Sequence, residues 1–518
     1  MDLLRTYQWS NDAQSIQLVL SVCIASFCYL VLSTGLFRRT CNRLINSYLC
    51  WKHPIRSCTG NQTIPTCPYE WPNGQGDVAK FLEGEERRNE WEAKYNGGVY
   101  RIWNRTTPEV VLTRPEHLQV VFKDSHQHAK AVNNNTGWLL GELLGDCLGL
   151  ISQEKWRILK TVTEGPFVQQ ATAACVSRIE ERTKQHVETL RAQGRLSSTG
   201  FHPVDDLRLL PFWVVAELIY GPLGPELEAT LEQIIPLRER LFHKAIMGGW
   251  LSFNWTRHLP TATKRDLTKF QKEWERFNTA AYERASKTQS GQTPPIVSMM
   301  AQVAKGTVSR RSVYQTLDEM LFANLDVTIG GLSWNLLFLA AAPSEQAALR
   351  AEIRDARAKE GNWHSYLQSS STLLAACILE SARLKPLAAF SVPQAAPTDR
   401  IVDEFVIPAG TNVIIDTHAI NIKNPWWGTD ATKYRPQRFL ERGRGPTESR
   451  YHYWRFGFGP RQCLGKHVAN LVIRCLLVEL VESNRLDFAD PEQGKEVWGR
   501  KQETWITQPD LKMLCRQP

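Results

Sequence analysis

The sequence predicts a mainly α-helical fold with a small β portion and a long buried central helix, set behind an N-terminal transmembrane helix. Three observations predict it. Residues 13–37 carry no charge. From about residue 115 to 385 the apolar spacing is mainly helical, with Gly/Pro breaks near 165, 194, 221–225 and 291–295. Strand-like patterns are confined to GGVYRIWNRTTPEVVLTRP and to residues 386–415, which include FVIPAGTNVII.

The first element is the apolar run IQLVLSVCIASFCYLVLSTGLF, flanked by Asp2, Arg5 and Asp12 before it and by Arg38, Arg39 and Arg43 after it. About 20 apolar residues span a bilayer, and the positive-inside rule puts the C-terminal bulk in the cytoplasm. A cleaved signal peptide would have a shorter apolar run, basic residues before it and a small-residue cleavage site, so residues 1–50 read as an uncleaved anchor with its flanks. Residues 51–76, punctuated by Pro54, Pro65, Pro68 and Pro72, read as a stiff irregular linker. A charged helical pattern covers 77–95, and the hairpin signal follows. Residues 327–344 are again free of charge, but Asp326, Asn335 and the Gly330-Gly331 pair interrupt them and Asp318 and Glu319 open them. A buried core helix is the expectation there, rather than a second span. A loop rich in Arg, Pro, Gly and aromatic residues runs from 424 to 462, and a helix follows Cys463.

With 518 residues, 42% of them apolar, the chain can bury a large core, and length alone suggests three or more domains. The net charge of +9 is modest, and no arginine-rich tail, RNA-binding signature or Cys/His finger spacing points to nucleic acid. Twelve cysteines, none in a CxxC, read as reduced thiols rather than a disulfide framework.

The most informative stretch is Phe456-Gly-Phe-Gly-Pro-Arg-Gln-Cys-Leu-Gly465. Three glycines and a proline make a tight loop whose backbone can approach a flat ligand. Cys463 ends the loop where an apolar helix starts, and a helix N-terminus with a neighbouring cation, Arg461, favours a thiolate. From these residues alone the sulfur could be a buried structural thiol, a metal ligand paired with His467, or a nucleophile.

The run matches FxxGxRxCxG at Phe456, Gly459, Arg461, Cys463 and Gly465. In this it resembles the cytochrome P-450 family, over nearly the whole chain and with the fungal secondary-metabolism members in particular. The resemblance implies one large helical haem domain, residues 77–518, with Cys463 as the thiolate ligand of haem b (iron protoporphyrin IX). It implies a structural triad of Glu380 and Arg383, from an ExxR motif, with Arg438 from Tyr434-Arg-Pro-Gln-Arg-Phe439, where Gln437 replaces a glutamate. Trp156 and Lys160 occupy the family's WxxxR positions, so they and Arg461 are assigned to the haem propionates. Gln394 stands where many members carry a propionate-binding arginine.

The central-helix motif departs from the family pattern. Ala323-Asn324-Leu325-Asp326-Val327-Thr328 keeps the acid, but Val327 takes the place of the usual alcohol and Asn324 that of a glycine. Asp326, Asn324 and Thr328 are the catalytic candidates, with three readings open: a proton relay through ordered water or a substrate group, an oxygen-independent rearrangement or dehydration, and a haem protein that only binds. By family layout the substrate is an apolar small organic molecule, met by the region after His126, residues 241–255, residues 323–328, and residues 388–392 with Phe390. The implied co-substrate is O2, and the implied electron donor is an NADPH-cytochrome P-450 reductase. Arg435, Arg438, Arg442, Arg444, Arg450, Arg455, Lys466 and Arg474 are the candidate docking charges. The implied location is the endoplasmic reticulum membrane, single-pass, with the catalytic domain cytoplasmic.

Overall fold

The computed structural model describes residues 20–22, 26, 35–130, 137–197, 199–287, 293–359, 361–441, 448–494, 498–502 and 504–517. The expected transmembrane run lies almost wholly outside the described residues. The first helix, α1 (Leu36–Lys52), starts where that run ends. Its inner face puts Leu49 against Tyr69 and Trp103, and Asn46 Oδ1 accepts from Trp103 Nε1 at 3.0 Å. Its outer face leaves Leu36, Phe37, Leu44, Tyr48 and Trp51 exposed. The proline-punctuated stretch after it is irregular and lies along the sheet, with Cys67 N donating to Arg101 O and Arg101 N to Pro65 O, both at 2.8 Å.

The strands are β1 (Tyr100–Asn104), β2 (Thr107–Leu112), β3 (Ala129–Lys130), β4 (Gln394–Ala395), β5 (Arg400–Val402), β6 (Phe405–Ile407), β7 (Asn412–Ile415), β8 (Arg485–Phe488) and β9 (Met513–Arg516). The expected hairpin is β1–β2, closed where Asn104 faces Thr107. It joins the second strand-rich region in one five-stranded sheet of order β1-β2-β7-β4-β3. Only the β2–β7 pairing is parallel.

The helical body includes α2 (Gln153–Thr163), α3 (Pro225–Met247), α4 (Arg310–Phe322), α5 (Val327–Ala341), α6 (Leu373–Leu384) and α7 (Lys466–Val481). The charge-free helix α5 is core, as expected: all but Val327, Gly331 and Ala341 are buried. Among the described residues no single helix is long and apolar enough to cross a membrane. The central helix is not continuous. A 3₁₀ turn at Ala323–Leu325 separates α4 from α5. Asn324 Nδ2 donates to Met320 O there, so its side chain competes with the backbone for a helical carbonyl.

The triad forms as the motifs imply. Glu380, Arg383 and Arg438 have fully buried side chains. Glu380 Oε2 accepts from Arg383 Nε at 2.7 Å, and Oε1 accepts from Arg438 Nε at 2.9 Å and from Arg435 N at 3.0 Å. Arg383 Nη2 also donates to Glu380 Oε1 at 2.8 Å and Arg438 Nη1 to Asp430 Oδ1 at 3.3 Å, and both guanidiniums meet carbonyls: Asn421 O and Ala431 O for Arg383, Trp427 O and Asp430 O for Arg438. Removing one partner strands a buried charge, at a cost of about 3–5 kcal/mol. Arg438→Met is therefore expected to lower unfolding free energy by that amount in a urea titration; a loss below about 1 kcal/mol, the surface-pair range, contradicts the account.

Candidate active site

The thiolate loop is shaped by backbone that only glycine adopts easily. Gly457 and Gly459 have φ of +86° and +64°, and Cys463 N closes the loop on Phe456 O at 2.9 Å. A Cβ added at Gly459 would also run into Ser125 Oγ. These bonds leave Cys463 three residues before α7 begins.

Cys463 is exposed, yet its thiol pKa is raised, chiefly by the desolvating mass of protein around it. The Gly465 N–H, Lys130 and Lys466 act against the rise, and Glu319 adds to it. This corrects the expectation of a thiolate favoured by Arg461. Arg461 turns away: its Nη2 donates to Ile151 O at 2.8 Å and its guanidinium lies 4.5 Å from the Trp156 ring. Desolvation outweighs the helix terminus, so a bare thiolate is unfavourable at this position. A metal ion reverses that balance, because a coordinated thiol is deprotonated outright.

Among the described residues no group of three or more His, Cys, Asp or Glu could hold a metal ion, so Cys463 and His467 are not half of a side-chain metal cage. The residues do fit an anionic porphyrin. Arg461 is buried, its pKa is lowered to about 10 by desolvation, and its Nη1 has no hydrogen-bond partner. That orphaned cationic donor suits a carboxylate. The Lys160 ammonium also lies 5.3 Å from the Trp156 ring, but it pairs with Glu164 at 3.3 Å. Gln394 is buried with Oε1 unpartnered.

Near its break the central helix is partly exposed at Glu319, Met320, Ala323, Asn324, Asp326, Val327 and Gly331, of which Glu319, Ala323, Val327 and Gly331 follow one another in steps of four. Such a stripe lies on one helix face. Glu319 on this stripe raises the Cys463 thiol pKa through its negative charge. Thr328 Oγ1 donates to Asn324 Oδ1 at 2.7 Å, so these two candidates form one unit. Asp326 belongs to another. Its Oδ2 accepts from Trp505 Nε1 at 2.7 Å, its Oδ1 lies 3.4 Å from Gln508 Nε2, and Arg208 stands 3.9 Å away. Sequence reading missed Glu319, Trp505, Gln508 and Arg208. The i, i+4 spacing of Glu319, Ala323 and Val327 was a usable signal for the first; the others have no local signal.

Phe390 is fully buried and packs on Trp91 at 5.6 Å, the core placement that an aromatic side chain there equally allows. One further expectation is corrected. The candidate docking charges do not form one solvated face: Arg438 is buried in the triad, Arg435 is paired with Asp430 and Glu441, and Arg474 donates to Leu367 O at 2.6 Å. Arg442 and Arg444 lie outside the described residues.

Positive φ costs a non-glycine residue about 1–2 kcal/mol. Gly459→Ala is expected to destabilise by that amount in thermal unfolding. Because most of the cost is backbone strain, Ser125→Ala on the same background should recover only a minor part; full recovery would mean that the contact, not φ, fixes the loop.

The family model described as Cytochrome P450 matches residues 81–515. The cytochrome P450 monooxygenase aclC of Aspergillus oryzae is 52% identical over 480 residues, 92% of this chain and 97% of that protein. The cytochrome P450 monooxygenase asaD of Aspergillus flavus is 44% identical over 497 residues, 96% and 94% of the two chains. The cytochrome P450 monooxygenase gliC of Aspergillus fumigatus is 38% identical over 480 residues, 91% and 92%. With its cysteine loop and buried triad in place and residues 81–515 matched, the chain belongs to the cytochrome P450 family, as a fungal-type monooxygenase.

Proposed function

We propose that this monooxygenase oxidises an apolar, medium-sized organic molecule, an intermediate of fungal secondary metabolism, with O2 and electrons from a membrane-bound NADPH-cytochrome P450 reductase. Cys463 would supply the sulfur ligand of haem b, Arg461 and Trp156 would hold its propionates, and Lys160 would back Trp156. The observation that carries the reading is the tight loop that ends at Cys463, closed by Cys463 N on Phe456 O at 2.9 Å, with the residue exposed and its thiol penalised as a bare charge. When bound, the thiolate-ligated iron porphyrin supplies oxygen activation, with electron donation from sulfur favouring O–O cleavage.

The chain's own residues handle protons and water. Thr328 commits its hydroxyl proton to Asn324, which leaves its oxygen lone pairs to accept from a water at the helix break. Asp326 is the acid, working through water in the place where Val327 lacks a hydroxyl. Arg208 beside it pairs with Glu239, and both are about a third exposed (31% each), which supports a charged path from the surface to Asp326. The apolar outer face of α1 and the exposed Trp250 and Trp255 support attachment to the endoplasmic reticulum membrane with the catalytic domain cytoplasmic. Electrons enter beside Pro460, at a groove of about 290 Å³ lined by His126, Trp156, Arg157 and Lys160.

Asp326→Asn should slow turnover and raise the peroxide released per NADPH in a system reconstituted with reductase. Unchanged coupling would remove Asp326 from proton delivery. The reaction class is tested with an extract of a metabolite-producing fungal culture as substrate pool under ¹⁸O-labelled oxygen. New products carrying one labelled oxygen atom are expected. Isomeric or dehydrated products without label would favour the oxygen-independent rearrangement that Val327 leaves open.

A further inference from the structure

Val327 leaves Asp326 without an alcohol beside it, so the group that aims its carboxylate comes from elsewhere in the chain. Trp505, on the segment leading to β9, reaches it. The indole Nε1 donates to Asp326 Oδ2 at 2.7 Å, a short charge-assisted bond. On Oδ1 the contacts are longer: Gln508 Nε2 at 3.4 Å and Arg208 Nη2 at 3.9 Å. Trp505 thus pins one oxygen and leaves the other turned toward Arg208, which also pairs with Glu239.

The ring is held as well as its N–H. It meets Phe242, on α3, edge to face with 5.2 Å between centroids. The Phe242 ring carries the Arg238 guanidinium at 4.6 Å. Arg238 Nε in turn donates to Asp318 Oδ1 at 2.7 Å, in an ion pair buried at both ends. Asp318 stands on α4, and Asp326 lies at the break just before α5. A chain of contacts therefore leaves the central element on one side of the break, crosses α3 and returns through Trp505 to the other side. A second indole ties the same segment down: Trp334 Nε1, on α5, donates to Thr507 O at 2.9 Å.

We infer that Trp505 is a positioning residue for proton delivery: its indole N–H sets the orientation of the Asp326 carboxylate and so directs Oδ1 toward Arg208. The inference rests on the reading of Asp326 as the acid. An indole is a hydrogen-bond donor only, so Trp505 passes on no proton itself and acts through Asp326.

The test compares the holoenzyme and its variants on the fungal culture extract with two oxidants, O2 with NADPH and reductase, or cumene hydroperoxide. A hydroperoxide carries the electrons and the proton that O–O cleavage consumes, so it does not draw on Asp326. Trp505→Phe keeps a ring against Phe242 and removes the donor. With O2 it should form product about tenfold more slowly, the effect of one charge-assisted hydrogen bond. More peroxide per NADPH and a larger solvent deuterium isotope effect should accompany that loss, while hydroperoxide-driven product formation stays near the parent rate. Trp505→His returns a ring nitrogen to the position of indole Nε1 and should recover most of the O2-driven rate. In the Asp326→Asn background Trp505→Phe should add little, because the two changes remove one function. Equal losses with both oxidants would assign Trp505 to pocket shape and overturn the inference. Parent-like coupling in Trp505→Phe beside an impaired Asp326→Asn would overturn it too, whereas parent-like coupling in both variants would overturn the reading of Asp326 as the acid. If Trp505→Phe yields no holoprotein, Trp505→Met, also without a donor, takes its place: a loss confined to O2-driven turnover supports the inference, and parent-like coupling overturns it.

Discussion

The Glu380 carboxylate, shared by Arg383 and Arg438 with no exposed surface on any of the three, is the constraint on which the site depends. Its reach extends beyond the ion pairs. Arg383 also grips Asn421 O, and Asn421 pairs in both directions with the backbone of Trp454, at 2.7 and 2.9 Å. Two residues later Phe456 O takes the Cys463 N–H. A continuous bonded path thus runs from a core helix to the sulfur. Fixing a sulfur at the mouth of an irregular loop would otherwise mean ordering residues that have little regular structure of their own.

The electrostatics of the loop explain why this rigidity matters. Burial pushes the Cys463 thiol up against the pull of Gly465, Lys130 and Lys466. The protein does not prepare a free nucleophile there. On the proposed reading a cationic metal on the sulfur reverses that balance, and the Arg461 guanidinium, 4.5 Å from the Trp156 ring, is the cation proposed for the porphyrin's acidic edge.

What could be read in the sequence was what is local in the chain. The β1–β2 hairpin, the Cys463 loop and the Glu380–Arg383 spacing each fit within a short window, and each formed as expected. The break in the central helix was half legible: Asn324 and the glycine pair weaken the helix, but only the Asn324 side-chain bond to Met320 O shows where it parts. Contacts made by chain closure left no trace. Trp505 meets Asp326 across 179 positions, and Lys130 faces Gln394 only because β3 and β4 pair. Arg461 was the instructive case. Two positions from the cysteine in sequence, it points elsewhere, because the tight loop carries the two side chains in different directions.

The bond between the Cys463 sulfur and iron is tested most directly by the absorption spectrum of the reduced, carbon-monoxide-treated holoprotein. The account predicts the strongly red-shifted Soret band of a thiolate-ligated haem. A Soret band at the unshifted position of a nitrogen-ligated haem, or a folded chain that binds no haem, would contradict it.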